Sequence, residues 1–384
     1  MIERIGIVGG GQLGRMLTEA AQPLGYEVTV LEKAPNCPAA QVGAQQIQGE
    51  LQDPDKLREL AEATDVVTWE IEHINAGALE DLEREGFNVQ SSPSTLKEIQ
   101  DKFAQKQLLD SNSIPVAASL ALPATFSSGD EAKRRYLKDF QLGFDAEFIV
   151  KSRRGGYDGR GNYVFGPSST LESMQAALGE DWSNLYVERL VPFGSELSVI
   201  AARDIHGNTA VYAPVETVHK DNICHTVITP PDIDPRLYKD AEEIGHETLK
   251  LLKGAGVFAV EMFATADAVI VNEIAPRVHN SGHHTIEAAQ TSQFEQHVRA
   301  ITGMPLGSTA LRAPAAAMIN ILGQREEPLT RAGLDDVLAL PDTHPHFYGK
   351  SSRPARKIGH ITVLGADRDE VLQTAQQARE LLVV

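Results

Sequence analysis

The sequence predicts a mixed α/β and α+β protein built from three consecutive parts. The chain opens with a strand, a glycine-rich turn, a helix and a second strand, the pattern of a doubly wound α/β domain. A serine- and proline-rich stretch at residues 91–94 and the stretch Leu311–Pro314 predict boundaries. We therefore expect a doubly wound domain over residues 1–93, a central domain over 94–310 and a small β-rich domain over 311–384.

The bulk composition is that of a soluble globular protein. The chain has 384 residues, of which 42% are hydrophobic and 23% charged, and its formal net charge is −18. Such a chain lacks the clustered basic surface that nucleic acids and anionic membranes require. No apolar run approaches the roughly 18 residues that span a bilayer, no signal peptide precedes the first strand, and two cysteines are too few for a disulfide framework. We expect a cytoplasmic protein without nucleic-acid or membrane partners.

The start of the chain carries the pattern of a dinucleotide-binding fold. The strand Ile5–Val8 leads into the turn Gly9–Gly14 and a helix, and a second strand ends at Glu32. The glycines permit close backbone approach, and the helix start offers N–H groups to an anion. The pattern is compatible with NAD, with an anionic substrate at Gln12 and Leu13, or with a purely structural turn.

A later strand of the first domain ends in acidic residues. The segment Asp65–His73 is predicted to emerge into Glu70 and Glu72 at the carboxyl end of the sheet, where ligands bind in open α/β folds. A solvated loop is the alternative. Beyond the boundary, Ser94 is predicted to cap a helix that runs to about Leu109.

A loop rich in glycine and arginine lies between two predicted strands of the central part. The strand Phe148–Lys151 ends in a cation, and the strand Tyr163–Phe165 follows the loop. Backbone amides and guanidinium groups of such a loop can fold over a polyphosphate. The loop lacks the G-K-[S/T] of a Walker A sequence, and a mobile surface hairpin is the alternative. Two further strands, Leu185–Val191 and Gly194–Ile200, offer an edge and an acid to adenine and ribose, although a plain β-meander explains them equally well.

Residues 257–275 are predicted to form an antiparallel hairpin. A turn centred near Asp267 places Glu261 opposite Glu273. Opposed Cβ atoms lie only about 4.5–5.5 Å apart, so two carboxylates repel there unless a cation lies between them. Carboxylate oxygens suit Mg²⁺, which takes its other ligands from water and phosphates. An exposed turn with two surface glutamates is the alternative.

Two more segments concentrate polar groups. The loop after the hairpin, residues 275–282, is rich in cations and hydrogen-bond donors, and the run Tyr348–Val363 gathers lysines and arginines in an acidic chain. The second cluster is a candidate anion site, with a charged hairpin turn as the alternative. Amphipathic helices over Asp234–Lys253, Thr285–Thr302 and Asp367–Leu382 are predicted as scaffold.

Four strings occur in order along the chain: GIVGGGQLGRML, GGYDGRGN, NEIAPRVHNSGHHTIEA and YGK followed by RPARKIGHITV. With them the chain resembles the ATP-grasp superfamily and, within it, the 5-(carboxyamino)imidazole ribonucleotide synthases of the PurK type. The resemblance implies a pre-ATP-grasp domain, a two-lobed ATP-grasp domain with a smaller lid lobe at about 113–190, and a homodimer. It implies ATP-dependent carboxylation of 5-aminoimidazole ribonucleotide with bicarbonate, through carboxyphosphate, in purine biosynthesis, with one or two Mg²⁺ ions.

The resemblance also assigns roles to individual residues. The nucleotide-binding positions that it implies are Lys102, Lys151, Gly156, Tyr157, Asp158, Gly159, Arg160, Gly161, Asn162, Glu188, Arg189, Leu190, Val191, Glu196, His219, Asn272 and Glu273. The metal ligands are Glu261 and Glu273. The ribonucleotide-binding positions are Gln12, Leu13, Glu70, Asn280, Lys350, Arg356 and Lys357. The catalytic positions are Tyr157, Asp158, Arg160, Arg277, His279 and Lys350, with bicarbonate beside Arg277 and His279.

Three positions depart from the family pattern. Lys102 stands where many relatives carry arginine, Val278 replaces a usual proline, and the acidic stretch leaves open whether Glu70 or Glu72 faces the substrate. Three rival interpretations are an NAD-dependent oxidoreductase built on the N-terminal turn and Glu32, another ATP-grasp carboxylate–amine ligase of purine metabolism, and a non-catalytic nucleotide-binding relative.

Overall fold

The computed structural model describes residues 2–122, 147–156, 161–166, 169, 171–179, 181–326 and 330–383. No helix within these ranges is long and apolar enough to cross a membrane.

The N-terminal part is a parallel sheet whose strands lie in the order β3-β2-β1-β4. The strands are β1 (Arg4–Val8), β2 (Glu27–Glu32), β3 (Gln45–Gln48) and β4 (Val66–Trp69), and the helices are α1 (Gln12–Ala21), α2 (Pro54–Ala63) and α3 (Ala76–Arg84). Apolar side chains on the two faces of the sheet belong to separate core clusters, one around α1 and one around α2 and α3. The doubly wound prediction is confirmed.

The glycine-rich turn before α1 is occupied by the protein's own carboxylates. Glu70, which is 8% exposed, accepts hydrogen bonds from the backbone N–H groups of Gly11 and Gly14. The carboxylate of Glu32 accepts one from Gly10 N at 3.1 Å. A carboxylate at a helix start satisfies donors that a pyrophosphate would otherwise use. The arrangement therefore favours a structural turn over a dinucleotide site.

Gly14 is expected to be required for the stability of this turn. A Cβ atom at residue 14 would lie 2.8 Å from the carbonyl oxygen of Gly9, so the change Gly14→Ala should lower the free energy of unfolding by about 1–3 kcal/mol. Urea denaturation measures the difference. The matched control is Gly77→Ala on α3, where the added Cβ atom would lie 3.5 Å from its nearest neighbour, on Asn75. There the free energy of unfolding should rise by no more than about 1 kcal/mol. Equal effects at the two positions would contradict this explanation.

Two helices that the sequence predicts as continuous are each interrupted. The first is divided into α4 (Pro93–Gln100) and α5 (Lys102–Ser111), and Asp101 caps α5 by accepting hydrogen bonds from the N–H groups of Phe103 and Ala104. The second is divided into α8 (Thr285–Ala288) and α9 (Gln293–Thr302), with Ser292 as the cap. In both cases the capping residue has extended backbone angles. The predicted cap at Ser94 is wrong, since α4 begins at Pro93.

The rest of the described chain forms a small sheet and a large sheet. The small sheet, in the order β5-β8-β6-β7, contains β5 (Ser119–Ala121), β6 (Phe148–Ser152), β7 (Asn162–Phe165) and β8 (Leu185–Arg189), with helix α6 (Leu171–Leu178). The large sheet contains β9 (Ser195–Arg203), β10 (Thr209–Val211), β11 (Val215–Lys220), β12 (Ile223–Thr229), β13 (Gly256–Ala264), β14 (Val269–Ala275), β15 (Ala315–Leu322), β16 (Thr343–Phe347) and β17 (Lys357–Gly365).

The large sheet runs through the boundary that the sequence predicts near residue 311. Its strands lie in the order β14-β13-β9-β11-β12-β15-β17-β16, with β10 paired to β9. Strand β15 pairs with β12 on one side and β17 on the other. The remaining helices are α7 (Pro235–Leu251), α10 (Leu334–Leu338) and α11 (Arg368–Leu381). The C-terminal strands thus extend the central sheet.

Candidate active site

A cavity of about 410 Å³ lies between the small sheet and the β13–β14 end of the large sheet, a size suited to a small-molecule ligand. The predicted nucleotide and metal positions that line it are Lys102, Lys151, Gly156, Asn162, Glu188, Arg189, Leu190, Val191, Glu196, His219, Glu261, Asn272 and Glu273. The predicted catalytic and substrate positions that line it are Arg277, His279, Asn280 and Lys357. Residues far apart in the sequence therefore meet around one cavity.

The hairpin of β13 and β14 brings two carboxylates together. Glu261 and Glu273 are paired across the strands, as the sequence predicts. The register shifts directly after Glu261, which makes Asn272 the extra residue of a β-bulge. Because a bulge interrupts the alternation of side chains, Asn272 and Glu273 both line the cavity although they are adjacent. The bulge thus adds an amide oxygen beside the carboxylates.

Lys102 only partly balances these acids. Its Nζ donates to the carboxylate of Glu273. Burial opposes the charge on both groups, but their pairing raises the pKa of Lys102 and lowers that of Glu273. Burial and the nearby Glu273 raise the pKa of Glu261 instead. The carboxylate pair therefore gains from a further cation.

The oxygen donors of this pair suit a magnesium ion. Over the described ranges, no cluster of three or more histidine, cysteine or acidic side chains is arranged for a metal. Mg²⁺ is commonly bound through one or two carboxylates and completes its shell with water and substrate phosphates. Glu261 and Glu273 therefore fit an ion that binds together with a nucleotide.

Arg277 and His279 lie on the loop that follows β14. The Arg277 Nε donates to Glu72 Oε2 at 2.5 Å. Burial raises the pKa of Glu72, but the pairing with Arg277 outweighs burial and lowers this pKa to about 2. Burial and the nearby Arg277 lower the pKa of His279 to about 3. The Nδ1 of His279 accepts from Ser281 N, so the neutral ring carries its proton on Nε2, which lies 3.4 Å from Glu261 Oε1.

Glu196 and His219 form a contact on the cavity wall. The Nδ1 of His219 lies 2.9 Å from Glu196 Oε2, and both side chains are about one quarter exposed. Burial lowers the pKa of His219, but the bond to Glu196 outweighs it and raises the pKa overall. The predicted ribose contact and the predicted pocket histidine are therefore neighbours.

The predicted ribonucleotide positions fall into two groups. Asn280 and Lys357 line the cavity, and Lys357 Nζ donates to Asn280 Oδ1 at 3.2 Å. Lys350 lies at the N-terminal turn, where its Nζ donates to Gln12 Oε1. Burial lowers the pKa of Lys350 to about 8 despite the nearby carboxylate of Glu70.

The remaining predicted positions lie outside the cavity lining. The side chain of Leu13, on α1, is buried in the core, so that only its backbone can face a ligand. The guanidinium group of Arg356 donates to the backbone oxygen of Ser351. Glu70 holds the glycine turn, whereas Glu72 lines the cavity. Gly161 is the residue before β7 and is not part of the lining. The predicted catalytic or nucleotide-binding residues Tyr157, Asp158, Gly159 and Arg160 lie outside the described residues.

Two aromatic residues of the cavity were not predicted. Phe193 and Phe263 stack with ring centroids 4.6 Å apart, and both line the cavity. The period of two along a strand places Phe263 on the same face as Glu261, so this position had a usable sequence signal. Phe193 lies in the connection before β9 and had none.

Three domain families match the chain in order. They are the ribonucleotide synthetase preATP-grasp domain at residues 2–100, the ATP-grasp domain at residues 112–294 and the phosphoribosylaminoimidazole carboxylase C-terminal domain at residues 316–374. The chain is 37% identical over 379 residues to the N5-carboxyaminoimidazole ribonucleotide synthase of Synechococcus elongatus, an alignment that covers 98% of this chain and 93% of that protein. The chain belongs to the N5-carboxyaminoimidazole ribonucleotide synthase family.

The N5-carboxyaminoimidazole ribonucleotide synthase family shares the whole fold. The synthase of Aspergillus clavatus in complex with ADP and 5-aminoimidazole ribonucleotide is 34% identical, with a TM-score of 0.86 over 99% of this chain and 98% of that one. The phosphoribosylaminoimidazole carboxylase of Ogataea methanolica is 41% identical over 370 residues, 94% of this chain, but this chain spans only 66% of its length. The resemblance read from the sequence motifs is confirmed, and the oxidoreductase interpretation is excluded.

Proposed function

We propose that this protein carboxylates 5-aminoimidazole ribonucleotide with bicarbonate and ATP, giving N5-carboxyaminoimidazole ribonucleotide, ADP and phosphate in purine biosynthesis. The observation that carries the proposal is the pairing of Glu261 with Glu273 in a cavity that Lys102 and Lys151 also line. This combination of opposed acids and lysines suits a metal-bound polyphosphate. We propose Mg²⁺ as the metal. Homodimerisation stays a prediction, which light scattering can test.

In the first step, an oxygen of bicarbonate attacks the γ-phosphorus of ATP in line. The bond to the bridging β-phosphate oxygen breaks, which gives carboxyphosphate and ADP. Lys102 and Lys151 supply positive charge beside the phosphates, and Arg277 and His279, on the same cavity wall, hold bicarbonate by charge and by an Nε2–H donor. A magnesium ion held by Glu261 and Glu273 would neutralise charge on the transferring phosphoryl group.

In the second step, carboxyphosphate breaks down to CO₂ and phosphate. The exocyclic amine of the ribonucleotide forms a bond to the carbon of CO₂ and loses a proton. We propose Asp158, outside the described residues, as the group that accepts or steers this proton. Asn280 and Lys357 at the cavity and Lys350 at the N-terminal turn are the proposed contacts for the ribonucleotide and its phosphate.

The proposal is tested by measuring ADP release with each candidate substrate added or omitted. We expect release that requires both bicarbonate and 5-aminoimidazole ribonucleotide. Release that depends on formate or an amino acid would support a different ATP-grasp ligase, and absence of release under all conditions would support a non-catalytic relative.

The titration of Lys350 is expected to affect the KM for the ribonucleotide. With its pKa lowered to about 8 by burial, this lysine is charged below pH 8 and loses its charge above. A phosphate monoester stays doubly charged over this range, because its second pKa is about 6. We therefore expect the KM to rise by up to roughly tenfold between pH 7 and pH 9 as one ionic contact is lost. The variant Lys350→Arg keeps its charge and should flatten the profile. A wild-type KM that is constant over this range would contradict the assignment.

A further inference from the structure

Lys106 on α5 is a buried lysine that no role proposed above explains. It is 2% exposed and does not line the cavity. Its Nζ donates to the backbone oxygen of Val271 on β14 at 3.0 Å and lies 3.3 Å from Glu188 Oε2 on β8. Lys106 therefore connects the large sheet to the small sheet directly behind the cavity wall.

Glu188 is shared between this lysine and Lys151. Its second oxygen, Oε1, accepts from Lys151 Nζ at 2.6 Å, and the hydroxyl of Tyr186 lies 3.4 Å from Oε2. The carboxylate is 2% exposed, and although burial opposes its ionisation, the two lysines lower its pKa. Both oxygens are thus engaged by this chain's own groups, so the other groups of residues 188–191, and not the Glu188 carboxylate, are the ones that can contact adenine.

Lys151 is the member of this group that can reach a ligand. It lines the cavity, and its Nζ also donates to Asn272 Oδ1 at 3.3 Å. A triphosphate in the cavity would compete with Glu188 for this ammonium group. If Glu188 had Lys151 as its sole cation, movement of Lys151 toward phosphate would leave a buried carboxylate uncompensated, which is costly. A second lysine that stays with Glu188 removes this cost.

We propose that Lys106 is a positioning residue for nucleotide binding: it neutralises Glu188, so that Lys151 is available to the phosphates. The inference rests on the proposed use of ATP at this cavity. Lys106 acts through Glu188 and Lys151, without contact to the nucleotide. A purely structural role, in which the ion pair only joins the two sheets, is the competing explanation, and the charge of residue 188 distinguishes the two.

The test measures ADP affinity by calorimetry and the KM values for ATP and ribonucleotide in a coupled assay, using the full chain. For Lys106→Met we expect ADP affinity to fall by roughly tenfold, the effect of one unit charge acting through a partly screened interior. The KM for ATP should rise in parallel, whereas the KM for the ribonucleotide should not change. The double variant Lys106→Met/Glu188→Gln restores the charge balance and should recover ADP affinity to within about threefold of wild type.

A control variant and the double variant make the result decisive. Lys97→Met removes an exposed lysine of neighbouring α4, 57% exposed and paired with Glu80, and should leave ADP affinity unchanged. The double variant buries no unpaired charge, so its ADP affinity is a measurement that stands even if Lys106→Met does not fold. The proposal is overturned if Lys106→Met binds ADP normally, or if the double variant binds ADP tenfold or more weakly than wild type. Failure of the wild-type protein to bind ADP would instead overturn the proposed function.

Discussion

Replacing Glu273 by glutamine is expected to lower ATP turnover by at least about 100-fold, in line with the loss of a major electrostatic group at a phosphoryl-transfer site. Glu273 is paired with Glu261 across the hairpin, where we propose that the metal binds, and it accepts a hydrogen bond from Lys102. The amide keeps the shape of the side chain but removes one of two anionic ligands. Stability should be nearly unchanged, because the loss of the Lys102 pair is offset by relief of the repulsion between the two acids.

The measurement is ADP release at several Mg²⁺ concentrations, with thermal unfolding in parallel. Excess Mg²⁺ should restore part of the activity, since the remaining carboxylate still binds the ion weakly. The matched control is Glu85→Gln, which breaks an exposed pair with Arg58 and should leave turnover unchanged. Near-normal turnover of Glu273→Gln at ordinary Mg²⁺ would refute the metal assignment.

The variant Arg277→Gln is expected to lower kcat by about 100- to 1,000-fold through loss of the group proposed to bind bicarbonate. Because Arg277 is the partner of Glu72, which is one quarter exposed, its removal should also destabilise the protein, by up to about 3 kcal/mol. The double variant Arg277→Gln/Glu72→Gln removes both charges and should recover most of the stability but none of the activity.

Two measurements, the KM for bicarbonate and the affinity for ADP, identify the step that Arg277 supports. The KM for bicarbonate should rise in both variants, while ADP affinity should remain within a few-fold of wild type. Recovery of activity in the double variant would show that Arg277 acts only as a structural partner of Glu72. Unchanged bicarbonate dependence would likewise contradict the assignment.

The sequence predicts the opposition of the two acids well because a hairpin has few free parameters. Once the turn is located, the register follows, and Glu261 and Glu273 must oppose one another. The bulge at Asn272 could not be predicted in this way, because one extra residue in a strand leaves no reliable local signal. The orientation of Asn272 toward the cavity therefore follows from the structure alone.

Tertiary contacts explain the other differences. Asp101 interrupts a helix-forming stretch because its carboxylate both caps α5 and pairs with Arg153 at 2.7 Å, a residue 52 positions away. Glu70 satisfies the amides of a turn 56 to 59 residues earlier. Long-range partners of this kind are invisible to local patterns, which is why the function of the glycine turn stayed open in the sequence.

The pairing of β15 with β12 means that residues 311–384 cannot be treated as a detachable module. A version ending at residue 310 would leave β12, rich in threonine, valine and isoleucine, without its neighbour over Thr226–Thr229. An unpaired strand edge of this kind can pair with the same edge of another copy. We therefore expect the truncated protein to elute as aggregates in size-exclusion chromatography. A monodisperse fragment would show that the edge is protected in another way. The same continuity places Lys357 of β17, the proposed phosphate contact, in one sheet with Glu261 of β13 and Glu273 of β14. The spacing between the proposed phosphate contact and the proposed metal ligands is therefore set by the large sheet and does not depend on the position of the small sheet.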